Sequence, residues 1–384
     1  MPNLTRRALL KASAAAAAGL AAASTIFPDS LSAAVHTVSR GRRAARLRFG
    51  VVGANHSHIY GMVNAVTRGG GELVSFHIRE PDIAAEFAKR YPQAKQVSDE
   101  RQVIEDPAIQ LVLSSIIPVE RAPLGIRVMK AGKDYMSDKP GIITLDQLAD
   151  VRRVQAQTKR IYSITFSERF EVPAAVKAGD LVKAGAIGKV VQTINIAPHR
   201  IHPPVRPDWY WDPARAGGIL ADIGSHQFDQ FLFFTGSTRG EIVAAQVRNV
   251  NHPEHPEFQD FGDVMVKGNG GTGYIRLDWF TPAGLPTWGD GRLTILGTDG
   301  YLEARKYVDI GGQPGGNHLF LVDQKGVQRI DCSKVELPYG RQLVDDVLNR
   351  TETAMPQAHA FLATELALRA QAQAQHLKLA SNGG

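Results

Sequence analysis

From Leu47 onward, short apolar runs alternate with amphipathic stretches, and few folds tolerate that order. Leu47-Arg48-Phe49-Gly50-Val51-Val52-Gly53 suits a strand buried on both faces. A helix through Arg68 follows, then a strand over Glu72–Ile78 and a helix over Pro81–Arg90. A strand over Leu111–Ile116, a helix over Arg121–Ala131 and a strand over Asp134–Ser137 continue the series. Strands and helices in strict alternation predict an α/β domain with a doubly wound parallel sheet. The chain has 384 residues, too many for that domain alone, so a second domain with its own core is expected. Strand-like runs over Asp263–Val266, Gly273–Phe280, Arg292–Leu296 and Leu319–Asp323 are broken by turns such as Gly268-Asn269-Gly270-Gly271. Leu343–Leu348 and Ala358–Leu379 are predicted helical.

Charge is distributed unevenly. Residues 1–48 hold eight basic side chains and one acid, Asp29, so that segment carries +7 of a total of +6 and leaves the rest at −1. A nucleic-acid binder needs a basic face on its folded body, and this body is close to neutral. The lone Cys332 excludes an internal disulfide and any cysteine-based zinc or iron–sulfur site. Thr5-Arg6-Arg7-Ala8-Leu9-Leu10-Lys11 precedes a small apolar stretch over Ala12–Ala23, too short to span a bilayer. The paired arginines resemble a twin-arginine export signal over residues 1–34, with cleavage after Ala23, Ala33 or Ala34. Periplasmic or exported localisation, no lasting membrane anchor and a basic arm over residues 35–46 follow as expectations.

The loop after the first strand would hold a dinucleotide if it carried Gly-x-Gly-x-x-Gly. Gly53 fills the first position, but Asn55 and His58 stand at the second and third. Asn tolerates positive φ, so Asn55 suits the turn, whereas His58 is expected to crowd helix against strand. At the ribose-reading end of the second strand, Arg79 would favour the 2′-phosphate of NADP, or Glu80 the free ribose of NAD. His56 and His58 form a His-x-His pair with no cysteine nearby and no carboxylate close in sequence. No metal is expected there; a hydrogen-bonding role beside the cofactor is.

Two motifs carry the chemistry. Ser137-Asp138-Lys139-Pro140 ends a strand at the carboxyl edge of the parallel sheet, where Lys139 can donate to a substrate hydroxyl. Gly217-Gly218-Ile219-Leu220-Ala221-Asp222-Ile223-Gly224-Ser225-His226-Gln227-Phe228-Asp229 predicts one helix with Asp222 and His226 on a shared face. An imidazole there suits proton transfer near neutral pH, oriented or assisted by Asp222. Between them lie His199-Arg200-Ile201-His202 and Asp208-Trp209-Tyr210-Trp211. Aromatic faces beside His199 and Arg200 suit a sugar or cyclitol, with Trp209 and Tyr210 against its C–H faces and Arg200 available for a carboxylate. His252 and His255 are expected on an exposed loop.

Taken together, Asp138-Lys139-Pro140 and the Gly-Gly-x-Leu-x-Asp-x-Gly-x-His-x-x-Asp stretch resemble the glucose–fructose oxidoreductase/inositol dehydrogenase (Gfo/Idh/MocA) family. Ala131-Gly132-Lys133, Ala184-Gly185-Ala186-Ile187-Gly188-Lys189-Val190 and Gly297-Thr298-Asp299-Gly300 add to it, over roughly residues 48–380. The resemblance implies an N-terminal Rossmann dinucleotide-binding domain over residues 47–165. It also implies an α/β substrate and oligomerisation domain over residues 166–384, built on a large open, mostly antiparallel sheet. On it, Lys139, Asp222 and His226 map onto the catalytic trio. Gly53, Asn55, His56, His58, Arg79 and Lys139 would hold NAD or NADP, and His199, Arg200, Trp209 and Tyr210 the carbohydrate or polyol. Assembly as a homodimer or homotetramer through the sheet is also implied. Where family members have Glu, this chain has Asp138.

Outside the cytoplasm a nicotinamide cofactor would have to be tightly held and cycled in place. Hydride transfer with a secondary alcohol of a sugar, glycoside or cyclitol is the leading expectation. Two rivals stand beside it: redox-neutral glycoside cleavage by oxidation, elimination and reduction, and a non-catalytic sugar-binding protein on a degenerate Rossmann frame.

Overall fold

The protein is seen here as a computed structural model that describes residues 46–202 and 206–377; the export-signal expectation lies outside these residues. Six parallel strands make the first sheet: β1 (Leu47–Val52), β2 (Gly71–His77), β3 (Lys95–Gln96), β4 (Leu111–Ser114), β5 (Asp134–Asp138) and β6 (Tyr162–Thr165). Their order, β3-β2-β1-β4-β5-β6, reverses between β1 and β4, which opens a crevice at the carboxyl ends there. Helices α1 (His58–Arg68), α2 (Pro81–Arg90), α3 (Arg101–Ile104), α4 (Pro118–Lys130) and α5 (Leu145–Thr158) make the crossovers. Phe49, Val51 and Leu111–Leu113 are fully buried because both sheet faces are covered. Each such side chain stabilises the fold by about 1.5–3 kcal/mol.

Short α6 (Ser167–Phe170) and α7 (Pro173–Lys183) lead into a second sheet of nine strands. These are β7 (Val190–Pro198), β8 (Gly240–Arg248), β9 (Phe261–Gly268), β10 (Thr272–Asp278), β11 (Arg292–Gly297), β12 (Gly300–Arg305), β13 (His318–Asp323), β14 (Gly326–Ile330) and β15 (Gln375–His376). In the order β14-β13-β12-β11-β7-β10-β9-β8-β15, only β7–β10 and β8–β15 pair in parallel. The mostly antiparallel open sheet is therefore as expected. Helix α10 (Gly224–Thr235) packs on one face, while Met265, Leu296, Tyr301 and Val327 are exposed.

Two helices return to the first domain. α11 (Tyr339–Asn349) packs on α1, and α12 (Gln357–Gln373) packs on α5 and β6. Tyr339 stacks on Phe170 at 3.9 Å, and Arg350 clamps Asp134 through both carboxylate oxygens at 2.6 and 2.9 Å. Predicted helix beyond Ala374 gives way to β15, whose pairing with Gln246 and Val247 overrides local helix propensity.

Candidate active site

The expected single helix across Asp222 and His226 is jointed: after the short α8 (Pro213–Ala216), α9 (Ile219–Asp222) and α10 meet at Ile223. Gly217 and Gly218, at φ +100° and +80°, make the turn into α9, a backbone that side chains beyond hydrogen disfavour. α9 thereby delivers Asp222 to the carboxyl edge of the first sheet. There, Lys139 at the end of β5 donates to Asp222 Oδ1 at 2.7 Å, joining the two domains. Burial works against the Asp222 charge, but Lys139 outweighs it and holds the carboxyl below its ordinary pKa.

His226, one turn on, is 2% exposed. Its pKa falls to about 3, first because burial penalises the imidazolium; Glu168 pulls it upward and Lys139, His58 and His199 push it down. Nδ1 of His226 is buried without a hydrogen-bond partner among the described residues. Asp222 makes no hydrogen bond to His226, contrary to the orienting role expected for it; its partner is Lys139.

A carboxylate missed in the sequence lies beneath. Glu168 follows β6 and receives Lys306 Nζ at 2.5 Å and Gln227 Nε2 at 3.0 Å. Lys306 also donates to Gln230 at 2.8 Å, and Gln230 donates to the His226 carbonyl at 3.0 Å. Burial opposes Glu168 ionisation, yet Lys306 and the nearby imidazoles keep its carboxyl well below the usual range. Its place after a strand of the sheet was the available signal. Asp229, by contrast, is fully engaged by Arg169 at 2.6 and 2.7 Å and by His359 at 2.8 Å, so it anchors α10 rather than facing the cleft.

The loop after β1 departs from expectation. Gly53 has φ +75°, and a Cβ there would stand 2.9 Å from the Cβ of Ile116. Asn55 donates to Glu80 Oε1 at 2.7 Å, which ties the loop to the end of β2. Arg79 is half exposed and paired with Glu120 at 2.8 Å, so its guanidinium is committed away from a ribose phosphate. His58 does not crowd the packing. It starts α1 and swings its Nδ1 to 2.9 Å from Asp138 Oδ1, while His56 Nδ1 lies 3.1 Å from Oδ2. No carboxylate is close to this His pair in sequence, but β5 brings one from 80 residues along the chain. Burial disfavours the Asp138 charge, but His58, Arg121 and His56 hold its pKa well below the ordinary value. Among the described residues, the amides of Ala54, Asn55, Ser57 and His58 have no acceptor, and α1 lacks a side-chain cap. An uncapped helix N-terminus with open donors at the sheet's switch point fits a dinucleotide diphosphate.

Tyr210 and Trp279, with Asp222, Pro213, Phe258 and Gln259, line a small cleft of about 20 Å³. His199 packs against Trp288 and Trp279, with ring centroids 4.4 and 5.3 Å away. Burial lowers its pKa to about 4, with Glu168 opposing and Lys139 assisting. Arg200 does not join the site. Its guanidinium donates to the carbonyls of Pro282 and Leu285, so it is not available for a substrate carboxylate. Trp209 is half-buried against the core, beside Tyr210. The expected exposed loop is also corrected: His252 is buried against Asp260 at 3.1 Å, and His255 stacks on Trp211 at 4.1 Å.

A profile of the GFO/IDH/MocA C-terminal domain matches residues 175–303. A crystal structure from Erwinia carotovora atroseptica, described only as an oxidoreductase, is 45% identical with a TM-score of 0.84, covering 86% of this chain and all of that one. The chain belongs to the GFO/IDH/MocA family. Levoglucosan dehydrogenase of Pseudarthrobacter phenanthrenivorans is 25% identical over 50% of this chain, which spans only 49% of that protein. The NAD(+) scyllo-inositol 2-dehydrogenase of Bacillus subtilis is 24% identical over 66% of this chain and 72% of its own length. A levoglucosan dehydrogenase structure with NADH and levoglucosan shares the GFO/IDH/MocA fold at TM-score 0.71 and 16% identity, covering 85% of this chain and 96% of that one.

Proposed function

We propose that this chain is an NAD(P)-dependent oxidoreductase acting on a secondary alcohol of a sugar or cyclitol. The observation that carries the proposal is the 2.7 Å Lys139–Asp222 pair, made across the domains beside an imidazole that is neutral above pH ~4. A nicotinamide dinucleotide held by the loop after β1 would supply the acceptor for the hydride of the carbinol carbon. Lys139 donates to the alcohol oxygen and stabilises the negative charge that develops there. The hydroxyl proton passes to Nε2 or Nδ1 of His226, whose second nitrogen is then free to donate. Asp222 fixes the ammonium at 2.7 Å, and Asp222 lines the same cleft as Tyr210 and Trp279. The relatives' names, dehydrogenases of levoglucosan and inositol, support this substrate class.

The reading extends to export by way of Arg6-Arg7 and the Ala12–Ala23 stretch, and to a cofactor retained through turnover. Assembly through the second sheet is supported by the exposed Met265, Leu296, Tyr301 and Val327, which would otherwise leave an apolar sheet face in water. The test is turnover of NAD+ and NADP+ with myo-inositol, scyllo-inositol, glucose and levoglucosan, followed by identification of the carbon product. A ketone formed in step with reduced nicotinamide supports the proposal. Release of an aglycone from an added glycoside, with the cofactor unchanged, favours redox-neutral cleavage. Tight sugar binding with no turnover favours a binding protein.

A further inference from the structure

His56, His58 and Asp138 lie outside the Lys139–Asp222–His226 trio, yet their geometry has a chemistry of its own. One donor atom from each lies within 4.8 Å of the other two. The imidazole rings meet edge to face at 4.1 Å, and both Nδ1 atoms are turned toward the same carboxylate. The Nδ1–oxygen separations, 2.9 and 3.1 Å, approach the ~3–3.5 Å edge of a coordination shell with bonds near 2.0–2.2 Å.

A plain hydrogen-bond cluster accounts for only half of this. His58 bonds Asp138 with good geometry, whereas His56 Nδ1, 3.1 Å from Oδ2, is misaligned for a hydrogen bond and has no other partner among the described residues. Asp138 is meanwhile held as a ligand should be. Oδ1 accepts the Lys139 amide at 2.7 Å, and Oδ2 accepts Arg121 Nη2 at 3.1 Å. Arg121 is itself locked on the carbonyls of Ile116, Lys139 and Pro140. Each carboxylate oxygen therefore has one lone pair fixed by the fold and another turned to an imidazole, the arrangement by which outer partners orient a metal ligand.

We propose that His56, His58 and Asp138 form a binding site for a first-row divalent cation that prefers imidazole, with zinc as its representative. Two nitrogens and one carboxylate suit zinc or iron(II) and not magnesium or calcium, which need oxygen ligands. Three protein ligands leave at least one position open. It faces the solvent side of the loop, where the side chains of His56 and His58 are 27% and 38% exposed. The histidine in the third glycine position of the loop, His58, thereby gains a role that glycine cannot fill. Metal binding here does not depend on the redox activity proposed above.

The experiment uses the full chain, free of any tag, stripped with EDTA and desalted. It is equilibrated with Zn2+, gel-filtered and analysed for bound metal by plasma mass spectrometry. About one zinc per chain is expected, unaffected by excess Mg2+, and a cobalt-substituted sample should show visible d–d absorption. His58→Ala, at the exposed side of the cluster, should weaken zinc binding at least tenfold, and His56→Ala should do the same. Asp138→Asn is read only alongside its melting curve, because Arg121 loses its charged partner. Failure of the wild-type chain to retain zinc would overturn the proposal. Undiminished zinc in both folded histidine variants would overturn it equally.

Discussion

Lys306→Met probes the buried support of the His226 helix. Lys306 and Glu168 have side chains 1% and 3% exposed, with Nζ 2.5 Å from Oε2. Removing the ammonium leaves Glu168 with Gln227 as its sole donor, and Glu168 Oε1 already has no partner among the described residues. Stranding one charge of a buried pair costs about 3–5 kcal/mol. Unfolding entropy near 2.1 cal/mol/K per residue, over about 330 residues, gives about 0.7 kcal/mol/K, so the midpoint should fall by about 4–7 °C. With Lys306 gone, burial dominates Glu168 and its folded pKa rises above the unfolded one. The carboxyl then destabilises the fold increasingly as pH rises, so the deficit relative to wild type should be smaller at pH 5 than at pH 8. Glu168→Gln/Lys306→Met, which removes both charges, should recover more than half of the loss. Scanning calorimetry of the three proteins is the assay. A drop below about 1.5 °C, or a double variant no better than the single, would refute the reasoning.

His226→Asn should lower turnover by about 10²–10⁴ while leaving nucleotide affinity within about twofold, as steady-state kinetics and titration would read. The same residue contributes to acid instability: its folded pKa near 3 lies below the unfolded value of about 6.5, so its share of stability is complete above pH 6.5 and is lost as pH falls. At pH 5 that loss is about 2 kcal/mol, and the Asn variant should show a correspondingly flatter melting-temperature profile between pH 7 and 5. Gly53→Ala places a Cβ 2.9 Å from Ile116 at φ +75°; dinucleotide Kd should rise about tenfold or more in a calorimetric titration. Met265→Glu/Leu296→Glu should convert an assembled protein to monomer in sedimentation velocity, and a wild-type chain already monomeric would dispose of assembly through this face.

Strands β1 and β4 were legible because they are apolar runs, and burial on both faces allows little else at positions such as Phe49 and Val51; β3, the exposed pair Lys95-Gln96, carries no such signal. Lys139 and Asp222 were legible by type and spacing, but their ion pair was not, since 83 residues and a domain boundary separate them. The same gap hid Asp138 from His56 and His58. Sequence proximity suggested that Asp222 would orient His226, whereas the joint at Ile223 sends the carboxylate to Lys139 instead. Arg200 and Arg79 show the converse limit. Each had a composition suited to ligand binding, but backbone carbonyls and Glu120, contributed by distant elements, had already claimed their guanidinium groups. Strand β7 was missed because its hydrophobic alternation is interrupted by the buried polar residues Thr193 and Asn195.

The crevice beside Gly53 is proposed to hold a nicotinamide dinucleotide within reach of Lys139, Asp222 and His226. Protein purified without added nucleotide should be denatured and its supernatant analysed by mass spectrometry for NAD and NADP, with titration of both nucleotides in parallel. Near-stoichiometric release of one of them is the predicted result, and it names the cofactor. Absence of both from the supernatant, together with no binding of either in titration, would contradict the account.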